Sequence, residues 1–456
     1  MPIDNLPLNL QETIQQNMLE RAYYDGLTSE TAYREIASKE KFPVRIGETL
    51  TKTRKARLAP NIIPLDPTHN ADLDNGMTSF LPAVEQFTVT INQYGDYTPL
   101  NLLDNQVNIV NNFLTDAENL GIQSSQSRER LARNAIFSAY TSGNTWITAT
   151  LGVPGDTVAV DDARGFDKVY DSVTGIMQPI SLTYPLPCYF DDGDGTNLTT
   201  LNAVAITPDV VNTSSLAAYG GISGTITFSA NATVAQGTIY KSIRHYYAPI
   251  IIRPNNKTNF MQLASTDTLT FDQLVSGVNM LRNNRIPRVD GAFYNLYMDY
   301  SAQNQLLKSD QFKYLTATTL ETSTTVKQAL FDKVLGSIYN FTTETIQQQI
   351  VNFAGDTINV NRIIIGGANS LIEAEFEGTE IAVQNQYAQY LHHIEMHEGI
   401  AFIIRGALDM LGMNITQAWT WIGGYVAPTD ILTTPQIIPT SNGKYFKRAV
   451  IIESSY

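Results

Sequence analysis

The sequence predicts an α+β chain in which helical stretches flank a β-rich insertion. Apolar residues recur at spacings of three and four across 104–143, the period of a helix with one buried face. Over 144–265 the pattern changes to short alternating segments parted by turn residues. From 266 onward helical and strand-like stretches mix again. With 456 residues the chain can build two to four domains with substantial cores. Hydrophobic residues at 43% argue against wholesale disorder, while charged residues at 16% fall below the usual quarter. Asn, Gln, Thr and Ser supply much of the remaining polarity, which suits a surface that packs against copies of itself.

The formal net charge is −14. A dedicated DNA binder carries a basic patch and a basic balance, so that class is not expected. Cys188 is the single cysteine, which excludes an intrachain disulfide and fits a reducing compartment. The start, Met1-Pro2-Ile3-Asp4-Asn5, has no basic leader or apolar run of signal-peptide length, so no export signal is expected. Nor does any run of 18 apolar residues occur, so no spanning helix is expected.

Residues 1–44 read as an N-terminal arm with short helices. Leu10, Ile14, Met18 and Ala22 give one a narrow apolar stripe, and Thr28 and Ser29 are placed to cap a second, with Tyr33, Ile36 and Ala37 on its inner face. Residues 45–103 read as a long two-stranded excursion: Val44 to Leu58 is strand-like, a loop rich in Pro and Asn follows, and Phe87–Ile91 alternates apolar and polar. Such a ribbon is marginal alone in water, so it needs a surface to lie on. Arg45, Lys52, Arg54, Lys55 and Arg57 against Glu48 make a +4 block, and the seventy residues after Arg57 hold eight acids and no Lys or Arg. Exposed ion pairs contribute only about 0–1 kcal/mol each, so this asymmetry sets register between chains better than it stabilises one chain. A plain solvated charge run is the alternative.

In 104–143, Val107, Val110, Leu114 and Ala117 hold one helical face, Gly121 and the Ser-Gln run 123–127 predict a kink or a break, and Leu131, Ala135 and Ala139 resume, ending at Gly143. The insertion, 144–265, offers strands at Trp146–Leu151, Thr157–Val160, Pro179–Tyr184, Val204–Ile206, Gly224–Phe228 and Gly237–Ile243. Residues 266–355 return to mixed structure, with a capping box at Thr270–Gln273, a helix to near Pro287, a strand at Ala292–Met298 and a helix around Val326–Tyr339. Residues 356–440 hold a strand at Arg362–Ile365, a Gly366-Gly367 turn, a helix from Asn369, and a strand at Ile400–Ile404 followed by Trp419-Thr420-Trp421. Residues 441–456 close the chain with a strand near Phe446–Ile452.

Catalytic constellations are weak. His393 and His397 would sit one turn apart on a helix, as two metal-binding imidazoles do, but Glu stands neither directly after the first nor directly before the last. From Asp192 a calcium loop would need Gly at position six and Glu at twelve, where Asn197 and Ala203 stand. Ile363–Asn369 lacks the third glycine and the lysine of phosphate loops. No Gly-x-Ser-x-Gly elbow occurs, and nothing beside Cys188 would lower its pKa. No catalytic residue, cofactor or metal is expected.

The order of arm, hairpin, long helix, β-insertion and two mixed regions resembles the major capsid proteins of tailed bacteriophages with the Hong Kong 97-like fold. Two stretches carry the resemblance in letters. Arg130-Leu131-Ala132-Arg133-Asn134-Ala135-Ile136-Phe137 looks like the end of that family's spine helix, in the coat-protein branch of short-tailed phages with large genomes. Ile286 to Asp299, with Gln305-Leu306-Leu307-Lys308-Ser309-Asp310, looks like a strand and following segment of its P-domain. Tyr94-Gly95-Asp96-Tyr97 and Arg362–Gly367 fit more loosely. The resemblance implies an N-arm at 1–44, an E-loop at 45–103, a spine helix at 104–143, a P-domain continuing at 266–355 after the insertion, an A-domain at 356–440 and a closing strand at 441–456. It implies a non-enzymatic subunit, assembled in the host cytoplasm into a virion capsid of hexamers and pentamers around double-stranded DNA, without sequence-specific binding or a membrane. Portal, scaffold and decoration or auxiliary proteins are the implied partners. Arg45, Lys52, Arg54, Lys55 and Arg57 are then expected to meet Asp104, Asp116 and Glu118 of a neighbouring subunit. A tail or surface adhesin is the alternative, expected to be β-rich throughout. An encapsulin-type compartment subunit is another, usually shorter and without such an insertion.

Overall fold

The computed structural model describes residues 18–27, 33–42, 49–55, 84–101, 112–171, 176–191, 199–284, 286–289, 294–310, 338–341, 347–376, 391–405, 414–428, 430–431, 445–446 and 448–456. In chain order come helices α1 (Met18–Leu27) and α2 (Tyr33–Ile36), then strands β1 (Ala37–Phe42), β2 (Thr49–Lys55), β3 (Val84–Thr90) and β4 (Asn92–Asn101). Helix α3 (Asn112–Thr141) follows with its 30 residues. Strands β5 (Asn144–Trp146), β6 (Gly155–Val160), β7 (Lys168–Asp171), β8 (Ile176–Pro179), β9 (Leu186–Asp191), β10 (Thr199–Pro208), β11 (Gly224–Ala232), β12 (Ser242–His245) and β13 (Ile251–Ile252) come next. Helix α4 (Phe271–Asn283), strand β14 (Asn295–Asp299) and helix α5 (Tyr300–Lys308) lead to β15 (Ile338–Phe341), β16 (Gln347–Val351), β17 (Thr357–Gly366) and β18 (Leu371–Phe376). The chain ends with β19 (Leu391–His397), β20 (Ile400–Arg405), β21 (Asn414–Val426), β22 (Asp430–Ile431), β23 (Tyr445–Phe446) and β24 (Ala449–Ser455). The mixed α+β class is as the sequence predicts.

The chain divides into two compact units, each drawn from separate stretches. The first comprises residues 1–51, 88–136 and 371–427. Its sheet runs β1-β18-β21-β20-β19, and β4 lies along the other side of β21. Strand β1 joins parallel to β18, while the other pairings are antiparallel. Alternation along β21 turns Ile415, Trp419 and Trp421 into a core shared with Phe402, Phe113 and Leu120. Val89 and Ile91 pack with Ala374 in a smaller cluster of the same unit.

Helix α1 lies against α3 at a glycine-to-glycine crossing. A Cβ on Gly121 would stand 2.3 Å from the Tyr23 carbonyl oxygen, and one on Gly26 would stand 2.3 Å from the Glu118 carbonyl oxygen. The described buried side of α1 is therefore Tyr23, Gly26 and Leu27; of the stripe expected from a four-residue spacing Ala22 is half-buried, while Leu10, Ile14 and the Met18 side chain lie outside what is described. Nor is α3 kinked. Gly121 is where a backbone approaches closely, and the serines turn inward: Ser124 Oγ donates to the Gly121 carbonyl at 2.8 Å and Ser127 Oγ to Gln123 at 2.7 Å. Residues that read as helix breakers are accommodated by bonding to the helix's own carbonyls.

The second unit comprises 52–87, 137–370 and 428–456. One of its sheets runs β5-β12-β9-β10-β11-β6, antiparallel throughout, around a core that includes Val158, Phe190, Ile226, Phe228 and Cys188. The insertion is β-rich as expected, with some strands displaced. Pro179–Tyr184 is mainly a turn, Ser181 N bonding the Tyr184 carbonyl at 3.1 Å, and the strand starts at Leu186. Likewise Gly237–Lys241 is a turn before β12.

A second sheet of this unit runs β13-β24-β17-β14-β15, with β16 also on β17. Every residue of β24 is buried, which explains its continuous Ala-Val-Ile-Ile run. Helix α4 covers this sheet with Leu274, Val278 and Leu281. Its predicted capping box is present, Gln273 Oε1 accepting from Thr270 N at 3.0 Å.

One expected helix is replaced by a strand, and the last two residues of another lie in one. Asn369 takes a left-handed φ of 54° and turns the chain into β18, whose Leu371–Ala374 are buried. Ile338 and Tyr339, the end of the helix expected at Val326–Tyr339, open strand β15, while 326–337 lie outside the described residues. The Thr28 and Ser29 caps lie there too, and Ala37 begins β1 instead of extending α2. Residues 192–198, with most of the Asp-Gly run, also fall outside.

Candidate functional site

Strands β2 and β3 form a sheet of two strands, the ribbon expected from the sequence. Lys52, Arg54 and Lys55 belong to β2, on whose backbone alone the structure speaks. Asp116 and Glu118 lie in the second turn of α3, Glu118 exposed and Asp116 half-buried. Burial pushes the Asp116 carboxyl above its ordinary value. Arg45, Arg57 and Asp104 lie outside the described residues.

Strand β4 contains Tyr94-Gly95-Asp96-Tyr97 and has, among the described strands, a single neighbour, β21. Its other side is therefore an edge of unpaired backbone among the described strands, the kind of edge on which another strand can add. Tyr97 is 65% exposed there. Gly95 is required by proximity, since a Cβ would lie 2.5 Å from the Trp419 carbonyl oxygen. Gln123 of α3 ties the strand down, donating to Asp96 Oδ2 at 2.7 Å and accepting from Trp419 Nε1 at 3.2 Å. The bond from Gln123, then that from Tyr97 N, hold the Asp96 carboxyl below its usual range.

Residues that the sequence reading missed fix the N-terminal segment to the first unit. Glu373 of β18 is fully buried and accepts from Arg128 Nη2 at 2.8 Å and Arg34 Nε at 3.2 Å. Burial alone would push this carboxyl up, but the guanidiniums of Arg128 and Arg34 outweigh it and hold it low. Glu129 accepts from the backbone N–H groups of Tyr33 and Arg34, and Arg34 also pairs with Glu398. No spacing could have found this set, because Arg34, Arg128 and Glu373 meet across hundreds of positions. An Arg-Glu pair inside an apolar helical pattern, at 128–129, was the available signal.

The second motif stretch falls on structural joints of the second unit, to which only Phe137 of the first stretch belongs. Asp299 caps α5, accepting from Ala302 N at 3.0 Å. Gln305 donates to the Ser455 carbonyl at 2.9 Å and accepts from Leu269 N at 3.1 Å, so α5 is pinned to β24 and to the entry of α4. Leu306 enters the core. From the other stretch, Phe137 packs edge-on to Tyr219, ring centroids 5.2 Å apart.

The histidine and cysteine candidates both lie in strands. Leu391–His397 is strand β19, not a helix, so the one-turn spacing of His393 and His397 does not arise. Burial pushes the Cys188 thiol up to about 12. Among the described residues no group of three His, Cys, Asp or Glu is placed to hold a metal ion. A cleft of about 660 Å³ in the second unit lies between the 249–258 segment and α4, with Arg244, Arg253, Lys257, Asp267 and Asp272 among its lining. It brings no histidine or cysteine to those charges.

No family model matches the chain, and no curated protein matches it either. Among solved structures the chain is similar to the capsid of Ralstonia phage GP4, at 12% identity over 95% of this chain and 90% of that one, with a TM-score of 0.46. It is similar to the capsid of cyanophage P-SCSP1u, at 8% over 93% and 88%, with a TM-score of 0.42. The acid-stable capsid of Helicobacter pylori bacteriophage KHP30 is similar at 10% over 94% and 92%, with a TM-score of 0.38. At such identities no residue role passes from those proteins to this one.

Proposed function

We propose that this chain is a shell-building subunit, the major capsid protein of a tailed bacteriophage, whose work is to pack against copies of itself around double-stranded DNA. The observation that carries this reading is the succession along the chain: arm, two-stranded ribbon, 30-residue helix, β-insertion, then mixed sheets closed by β24. The two capsid-like stretches fall on the end of α3 and on the β14–α5 joint, where such a fold needs fixed geometry.

On this reading 1–44 is the N-arm, 45–103 the E-loop, 104–143 the spine helix, 144–265 an inserted β-domain, 266–355 the rest of the P-domain, 356–440 the A-domain and 441–456 the closing strand. Hexamers and pentamers form through A-domains, and portal, scaffold and decoration proteins complete the virion, assembled in the host cytoplasm. A net charge of −14 suits a wall that encloses packed DNA without gripping it. The chain carries out no reaction and needs no cofactor.

The ribbon supplies the contact between copies. A two-stranded sheet is marginal by itself, and its basic block is matched by the acidic stretch that includes Asp104, Asp116 and Glu118. Each pair is weak, but every subunit repeats it, and closed symmetry turns weak contacts into a stable shell. Reversing Arg54, Lys55 and Arg57 to Glu should abolish shells in the sedimenting fraction while leaving folded soluble protein. Assembly at the unaltered yield would refute this contact.

A further inference from the structure

We infer that the second unit holds one small monovalent anion, of chloride or bromide size, in the cavity beside the Arg362 guanidinium. Four strands bring the groups together. Arg362 comes from β17, Glu453 from β24, Arg253 from the end of β13, and Asn144 from β5. Glu453 accepts from Arg253 Nε at 2.7 Å and from Arg362 Nε at 3.1 Å.

The charges here do not balance. Burial alone would raise the Glu453 carboxyl, but the two guanidiniums outweigh it and keep it ionised. Two guanidiniums against one carboxylate leave one buried positive charge. Arg164, which also lines the cavity, is already matched by Asp162 at 2.8 Å, and its Nη1 donates to the Tyr219 carbonyl at 2.9 Å. An uncompensated charge in a protein interior is costly unless a counter-charge joins it.

The donors are unbalanced as well. Arg253 Nη1 donates to the Thr258 carbonyl at 2.7 Å. Arg362 Nη1 and Nη2 have no acceptor among the described groups, although the Arg362 side chain is only 1% exposed. Tyr219 and Phe260 stand with ring centroids 4.7 and 5.1 Å from its central carbon. Their faces favour the cation but are poor acceptors for N–H groups. The other polar lining groups are spent on neighbours: Thr141 Oγ donates to the Phe137 carbonyl and Asn144 Nδ2 to the Pro249 carbonyl.

The space selects the guest. The cavity measures about 20 Å³, enough for one water-sized body. Sulfate, phosphate and carboxylates are too large. A water would accept from Arg362 and leave the charge unmatched, whereas a halide answers both. Bound there, the ion would join β5, β13, β17 and β24 and stabilise the second unit.

The test uses the full chain. Its melting temperature is followed in sodium chloride and in sodium gluconate at equal ionic strength, together with the chlorine-35 NMR linewidth of the chloride samples. Chloride should raise Tm by about 2 °C over gluconate, as a ligand that binds only the folded state does. The linewidth should exceed that of free chloride, and bromide should remove the excess. Arg362→Met should abolish both effects. Should that variant not fold, Leu216→Phe, which fills the cavity and keeps every charge, should abolish them instead. Equal melting in the two salts with no excess linewidth would overturn the inference, as would effects that survive the variants.

Discussion

At the scale of single residues, the sign of a substitution is set by what approaches the backbone, not by helix propensity. Gly121 lies mid-helix, where replacing Gly by Ala on an isolated helix gains about 1 kcal/mol. Here the added carbon would meet the Tyr23 carbonyl oxygen at 2.3 Å, and that contact is with main chain, which cannot rotate away. Gly121→Ala is therefore expected to destabilise the first unit by about 1–3 kcal/mol. Chemical denaturation reads the difference, and a gain in stability would show that α1 does not rest on α3 in this way. The letters alone hid this. A glycine followed by serines within a helical pattern reads as a kink, and only the packing partner reveals it as a crossing. Asp299 caps the first turn of α5, a helix that the sequence reading did not place.

At the scale of elements, the docking of α1 on β19 raises one carboxyl, that of Glu395, into the neutral range. Glu395 of β19 is hydrogen-bonded to Glu20 of α1, and two carboxylates can share such a bond only through a proton. Burial first, then the bond to Glu20 and its charge, push Glu395 up to about 7. His397 lies 3.8 Å from Glu395, and its rings of contact are Tyr23 and Tyr24 of α1. Burial lowers the imidazole pKa, against the opposing pull of Glu20 and Glu398. The folded chain thus holds the Glu395 proton more tightly than the unfolded chain. This contribution is whole below the ordinary carboxylate range and is lost as pH rises through about 7. With allowance for solvent at this partly exposed pair, the loss is of the order of 1–2 kcal/mol. Hydrogen exchange of α1 should quicken between pH 6 and pH 8 in the unaltered chain, at roughly constant intrinsic rate after correction. Glu395→Gln should flatten that change, and an identical pH profile in the variant would remove the shared proton from the account.

Elements were legible in proportion to how local their causes are. The long helix, the capping box of α4, the ribbon and the β-rich character of the insertion follow from period and turn chemistry within a few residues. Strand β18 did not, because Asn369 in a left-handed turn and pairing with the distant β1 decide it. Strand β19 was obscured by a histidine spacing that suits a helix equally well. The buried Arg34–Arg128–Glu373 set was marked only by the Arg-Glu pair at 128–129, since charge in a sequence otherwise reads as surface.

At the scale of the whole molecule, the composition now has a structural counterpart. Charged residues are only 16% of the chain, yet arginines and glutamates are placed deep inside both units, around Glu373 in one and Glu453 in the other. Buried pairs of this kind cost desolvation and add little net stability, but they define one arrangement of strands against many. For the shell subunit proposed above that definition matters, because an error in one copy is carried to all its neighbours. The ribbon and the open edge of β4 are the features that call for a second copy. Negative-stain electron microscopy of the sedimenting fraction, after expressing the chain together with the assembly proteins that the proposed function calls for, tests that proposal most directly. The account predicts closed shells or tubes with a wall of uniform thickness. Protein that remains monomeric under those conditions would contradict it.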